Sequence, residues 1–231
     1  MKRGHILENW LVKRAKLDPD KIALILEHAD FTFSELNTTV QLFASKLSSC
    51  GISENDPIAL FTDNCFNGYV AILALQQLGA QTILLDTQLS LKTLEDHIKD
   101  CCPKTILVSD SADTTYLDQI DWDKTFVSEV LSLKKNPNYR PIQDFNENKI
   151  VAIFYTPNAA SFDTGVMLTY RNFFESAMGT ALNLGITKQD TWVLALPIFN
   201  VPAYSVIMRS LIYGIGVNLI ECFISTSSIK C

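Results

Sequence analysis

One stretch of the chain has the layout of a phosphate site. Residues 150–155, Ile-Val-Ala-Ile-Phe-Tyr, form a β-rich apolar run, and the ten residues 156–165 that follow end in Gly165 before Val166. A strand that empties into such a loop at the carboxyl edge of a sheet is where an α/β protein seats phosphate, because backbone N–H groups converge there on an anion. Other groups are poorer candidates. Asp118, Asp121, Asp123 and Asp144 are scattered in polar sequence and read as solvated loop acids, so no metal cluster is expected. Gly214-Ile215-Gly216 lacks a third glycine and precedes a strand, which excludes a dinucleotide fingerprint. Six cysteines form no C-x-x-C pair, which suits a reduced cytoplasm; adjacent Cys101 and Cys102 read as small buried residues at a helix end. His5, His28 and His97 read as surface residues, and no side chain is put forward as catalytic.

Positioning the loop requires a sheet, and the hydrophobic pattern supplies one. From Ile22 onward, short β-rich runs alternate with helix-length amphipathic segments, which predicts an α/β fold of βαβ units, with largely parallel sheets flanked by helices. Residues 22–33 read as a hairpin. Thr32 and Glu35 have capping-box spacing ahead of a helix whose Leu36, Val40, Phe43 and Leu47 share one face before Gly51 closes it. Strands are predicted at 57–61, 82–85, 104–108, 150–155, 192–196 and 216–220. Helices are predicted at 66–78, from Ser90 to near Pro103, at 171–184 and at 202–213, whereas 109–148 reads as a peripheral loop region.

Composition closes off several classes. With 231 residues, 48% of them hydrophobic and 19% charged, the chain can bury a sizeable core, which excludes disordered and collagen-like classes. A net charge of -6 leaves no basic surplus for nucleic acid or an anionic membrane surface, and Lys13, Arg14 and Lys16 read as a solvated helix face. The start has only Ile6 and Leu7 before Glu8, too short for a secretory core. The apolar stretch 192–224 is broken by Pro197, Asn200, Pro202, Arg209 and Glu221, so no membrane span is expected.

Several ordered blocks carry a resemblance. Ile153-Phe154-Tyr155-Thr156, the run 165–172 (Gly-Val-Met-Leu-Thr-Tyr-Arg-Asn), the run 176–185 and Leu196-Pro197-Ile198-Phe199 resemble the adenylate-forming, AMP-binding acyl-CoA synthetases. Residues 9–15 and 74–80 add to the likeness, which spans about residues 8 to 220 and looks most like the 2-succinylbenzoate CoA ligases of menaquinone biosynthesis. The resemblance implies the amino-terminal part of the ligase fold, divided into a first subdomain 1–185, the start of a second at 186–220 and a divergent tail 221–231. It implies ATP and Mg2+ as cofactors and coenzyme A as co-substrate. A small carboxylic acid would be converted to an acyl-adenylate and then to a thioester. It assigns the phosphate contact to Thr156, Thr164 and Gly165, and the acyl-substrate contact to Asn200.

Departures from the family pattern lie at those same sites. The family loop reads T-S-G-T-T-G-x-P-K-G-V, and of the residues 156–166 aligned with it only Thr156, Gly165 and Val166 match. Pro157 removes a donor, Asp163 adds a negative charge and Thr164 stands where the lysine belongs. Loss of one preorganised donor costs on the order of 10² to 10³ in rate, so adenylation by this loop is expected to be impaired. Asn200 replaces the family's histidine. The tail and the length suggest a premature stop or frameshift, and the second sheet is expected to carry unpaired apolar edges that favour self-association. The competing expectation is a catalytically inactive remnant that serves as a binding or interaction module.

Overall fold

The computed structural model describes residues 6–109, 112, 117–156 and 163–221. In chain order the first elements are β1 (Ile6–Glu8), α1 (Trp10–Leu17), β2 (Ile22–Ile25), β3 (Asp30–Thr32), α2 (Phe33–Ser49), β4 (Pro57–Phe61), α3 (Phe66–Leu78), β5 (Gln81–Leu85), α4 (Leu91–Cys101) and β6 (Thr105–Val108). They are followed by β7 (Lys124–Phe126), α5 (Val127–Ser132), β8 (Asp144–Asn146), β9 (Ile150–Thr156), β10 (Thr164–Thr169), α6 (Tyr170–Leu184), β11 (Thr191–Leu194), α7 (Val201–Tyr213) and β12 (Gly216–Leu219).

Helix starts follow local chemistry. Glu35 N–H donates to Thr32 Oγ1 at 3.2 Å while Glu35 Oε2 accepts from Thr32 N–H at 2.9 Å, the reciprocal box expected from the spacing. Phe33, Leu36, Val40, Phe43 and Leu47 then all face inward, and Gly51 leaves the helix at φ +82°. The α3 helix is buried nearly all round and ends at Gly79, in the left-handed region at φ +70°. Its two glutamines are paired: Gln76 Nε2 donates to the Tyr204 hydroxyl at 3.0 Å and Gln77 Nε2 to Asn37 Oδ1 at 2.9 Å.

The main sheet has six strands in the order β10-β9-β5-β4-β6-β7, parallel throughout except for the β9–β10 hairpin. Both faces are covered. Ile58 and Leu60 of β4 point into the core shared with α2, α3 and α7, whereas Ala59 and Phe61 join Ile83, Leu85, Leu94, Ile98, Ile106 and Val108 under α4. Burial on both sides explains why these strands read as unbroken apolar runs. A second sheet, β11-β12-β2-β3, sets β12 between β11 and β2, with Val217 opposite Leu24. The hairpin 22–32 therefore shares one sheet with strands from beyond residue 185, and that sheet crosses the division expected there. Of the tail expected at 221–231, residues 222–231 lie outside the described residues.

Three expectations need correction. The segment 109–148 contains β7, α5 and β8, each of six residues or fewer, and β8 pairs with β1. Arg14 is not a solvated charge: its Nε donates to Leu211 O at 2.9 Å and its Nη2 to Ile212 O, covering the open carbonyls at the end of α7. Cys101 is half-buried, but Cys102 is exposed and takes the left-handed conformation, φ 42°, that ends α4. The described cysteines Cys50, Cys65, Cys101 and Cys102 are free thiols. Among the described residues no helix is long and apolar enough to cross a membrane, and no group of acids, histidines and cysteines is arranged to hold a metal ion.

Candidate active site

The strand expected to lead into the phosphate loop is β9, at one side of the parallel sheet, with its carboxyl end beside that of β5. The chain returns as β10, a strand the sequence pattern did not reveal. Thr164 pairs with Thr156, Gly165 with Tyr155 and Val166 with Phe154. Three of the four candidate residues are thus brought together at the mouth of one hairpin; of the loop itself, 157–162 lie outside the described residues. Thr156 and Thr164 are exposed, and Gly165 is half-buried opposite the Tyr155 ring, where an added Cβ would stand 3.4 Å from Cζ. Its backbone φ is not in the left-handed region, so glycine serves here to leave room for that ring.

Asn200 lies apart from the other three. It is exposed and precedes α7 as its N-cap, yet its side chain makes no cap hydrogen bond. Its position is set indirectly by Asn64, in the turn after β4: Asn64 Oδ1 accepts from Ile198 N–H at 2.7 Å and Nδ2 donates to Leu196 O at 3.0 Å. The apolar pair Ile198 and Phe199 is buried, which leaves Asn200 facing outward with free amide groups.

The group that the sequence missed is His97. It is only 4% exposed, its Nε2 lies 2.9 Å from Asp163 Oδ2, and its ring stacks on Tyr155 at 3.9 Å between centroids and 11° between planes. Because a carboxylate only accepts, Nε2 carries the proton, and Nδ1 is buried without a partner. Tyr155 closes the arrangement, its hydroxyl donating to Asp100 Oδ2 at 2.7 Å with His97 O 3.1 Å away. Burial, reinforced by the Asp100 carboxylate, raises the Tyr155 pKa well above the ordinary tyrosine value, so the phenol stays a donor. Burial likewise pushes the neighbouring Cys101 thiol up to about 11. A cavity of about 450 Å³ opens beside this cluster, lined by Lys92, Thr93, Asp96, His97, Asp100, Tyr155 and Asp163. The signal was present in the spacing: Leu94, His97, Ile98 and Cys101 fall at i, i+3, i+4 and i+7, one helical face, and that face is the one packed on the sheet.

A family model described as AMP-binding enzyme matches residues 11–230. This chain belongs to that family. The match runs on through most of the segment read as a divergent tail. A 2-succinylbenzoate–CoA ligase of Listeria monocytogenes is 35% identical over 217 residues, covering 94% of this chain and 45% of the relative; the Bacillus subtilis ligase is 32% identical over 216 residues, 93% and 44%. The chain therefore spans a little under half the length of the curated relatives it matches. Among solved structures, the B. subtilis o-succinylbenzoate coenzyme A synthetase in complex with AMP superposes with a TM-score of 0.89 at 30% identity, over 95% of this chain and 57% of that one. The same enzyme in complex with ATP and magnesium ion gives 0.88 at 30% identity, over 97% and 60%.

Family membership sharpens what the hairpin mouth lacks. The described residues there offer two exposed hydroxyls, of Thr156 and Thr164, and the carboxylate of Asp163, which is turned back onto α4 by His97. No cation stands on β9 or β10, and Lys92, which lines the adjoining cavity, belongs to α4 and shares that cavity with three aspartates. A triphosphate with its magnesium ion carries several negative charges, so these residues do not fit it as an adenylation site.

Proposed function

We propose that this chain keeps the scaffold of a 2-succinylbenzoate–CoA ligase, an ATP-, Mg2+- and CoA-dependent enzyme by descent, but does not form an acyl-adenylate on its own. The observation that carries this reading is the mouth of the β9–β10 hairpin, where Thr164 pairs with Thr156, Asp163 is bound to His97, and neither strand carries a lysine or arginine. Charge stabilisation is the main contribution a protein makes to phosphoryl-transfer chemistry, and its absence outweighs an intact sheet. What remains is a weak nucleotide site at Thr156, Thr164 and Gly165, with the exposed amide of Asn200 as the acyl-substrate contact that the family resemblance assigns. The free thiols fit a reducing compartment, the cytoplasm of the first expectation. Pyrophosphate release, measured with ATP, Mg2+, 2-succinylbenzoate and CoA, is expected to stay at the background rate, with calorimetric ATP binding no tighter than about millimolar. Turnover above background would overturn the reading.

A second reading, as a self-associating interaction module, is favoured by a separate observation. On the second sheet, β11 has a partner on one side only among the described residues; its Val193 and the nearby Leu196 are 60% and 53% exposed, and Leu182 and Leu184 of α6 are 88% and 75% exposed. Apolar side chains along an unpaired strand are a common route to association. Size-exclusion chromatography across a hundredfold range of concentration separates the alternatives: a constant monomer peak counts against this one.

A further inference from the structure

The His97–Asp163 contact has no counterpart in the family loop pattern, because Asp163 stands where that pattern has proline. It joins the first described residue after the loop to a buried position in the middle of α4, 66 residues earlier in the chain. Everything around it is consistent with a fixed point. The His97 side chain is only 5% exposed and that of Asp163 24%, so water competes weakly for the bond. The ring cannot swing, because Tyr155 lies flat against it and is held in turn by Asp100. Gly165, the cross-strand neighbour of Tyr155, leaves the space that lets the tyrosine lie down. Asp163 immediately precedes Thr164, the first residue of β10, so anchoring its carboxylate also sets where that strand begins.

We propose that His97 is a positioning residue for the hairpin mouth: through Asp163 it latches the exit of the loop to α4 and fixes the placement of Thr164 and Gly165. This rests on the reading of 156–165 as the remnant nucleotide loop, but only for its functional meaning; the latch itself is a statement about β10 and α4. It also gives the negative charge at position 163 a role. In a loop stripped of its lysine, the carboxylate holds the strand in register instead of attending to a ligand.

Hydrogen exchange, read at the β10 amides that pair with β9, tests the latch in the full chain. Replacement of His97 by alanine is expected to speed their exchange by about tenfold, the effect of losing one hydrogen bond to a charged group. Amides of α2 and β4 should keep their wild-type rates. Asp163→Asn should have a smaller effect of the same sign, and the double variant should be no faster than His97→Ala alone. His97→Gln, which retains an N–H donor, should restore most of the protection. Unchanged β10 exchange in His97→Ala would overturn the latch. So would acceleration spread evenly over α2 and β4, which marks a general loss of core packing, or effects of the two single changes that simply add. Titrating ATP with Mg2+ into the same variants keeps the two claims apart. If the exchange pattern appears and no variant binds nucleotide at any concentration, the latch stands and the nucleotide reading falls; if ATP binds and β10 ignores the changes, the reverse holds.

Discussion

The centre of the six-stranded sheet and its β9–β10 margin are built on different terms. At the centre, β4 has a strand on either side and a helix layer on each face, and Ile58, Ala59, Leu60 and Phe61 are all fully buried. At the margin, β10 has one neighbour among the described strands, its Val166 and Met167 are 38% and 61% exposed, and the residue before it, Asp163, is joined to α4 through His97. Apolar burial is non-directional and tolerates drift in individual residues as long as volume is kept, so the centre preserves the family scaffold. A phosphate site is directional and depends on particular donors at particular places. Here the scaffold superposes on that of the family, whereas the residues at the hairpin mouth depart from its loop pattern.

The largest test of that contrast is a pair of truncations. Leu60→Ala is expected to lower unfolding free energy by about 2–5 kcal/mol, whereas Met167→Ala should stay within about 0.5 kcal/mol, as read by urea denaturation. Comparable losses at the two positions would break the comparison. Next come two glycines that receive the same methyl group. In α3, a Cβ on Gly68 would collide with Thr62 Oγ1 and approach Asp63 O at 3.2 Å, so Gly68→Ala should cost about 1–3 kcal/mol. In α6, Gly179 has nothing within 4 Å, and Gly179→Ala should stabilise by about 0.5–1 kcal/mol through helix propensity. Thr32→Ala should then cost about 1 kcal/mol by removing the α2 cap.

The smallest effect concerns reactivity. Burial raises the Cys101 pKa to about 11, so roughly one thiol in a thousand is ionised at pH 8, and its alkylation should quicken about tenfold per pH unit until the pH nears that value. Exposed Cys102 next to it should be labelled first by iodoacetamide at pH 8, with mass spectrometry of the peptide distinguishing the two. Equal rates would mean that the packing of Tyr155 and α4 around Cys101 is looser than described.

The centre was legible in the sequence and the margin was not, for physical reasons. Elements that bury a whole face must repeat their apolar residues at the period of their backbone, which is why α2, α3, β4, β5 and β6 could be placed from spacing alone. No such periodicity marks β10, whose Thr164, Gly165, Val166, Met167, Leu168 and Thr169 are all exposed or half-buried and form a strand only because β9 is there to pair with. The short β7, α5 and β8 are likewise held by neighbours and not by their own pattern. Thr156 and Gly165 are candidates because they match the family loop, and Thr164 because it stands where that loop has lysine. His97 was overlooked because a histidine invites a surface reading, although its place on the Leu94 and Ile98 face pointed inward. Asn200 could be located but not given a partner, since its surroundings depend on Asn64, 136 residues earlier in the chain.

The second sheet has a consequence for the chain as it is made. Leu24 of β2 pairs with Val217 of β12, so the amino-terminal hairpin emerges from the ribosome 193 residues before the strand that flanks it. At common synthesis speeds that is a wait of roughly 10 to 40 seconds in which β2 has only β3 beside it and its other edge is open. Over that interval Ala23 and Leu24, both fully covered in the finished fold, are open to whatever else in the cell can add a strand. Chaperone demand should therefore track the time needed to reach residue 219 more closely than the stability of the folded chain.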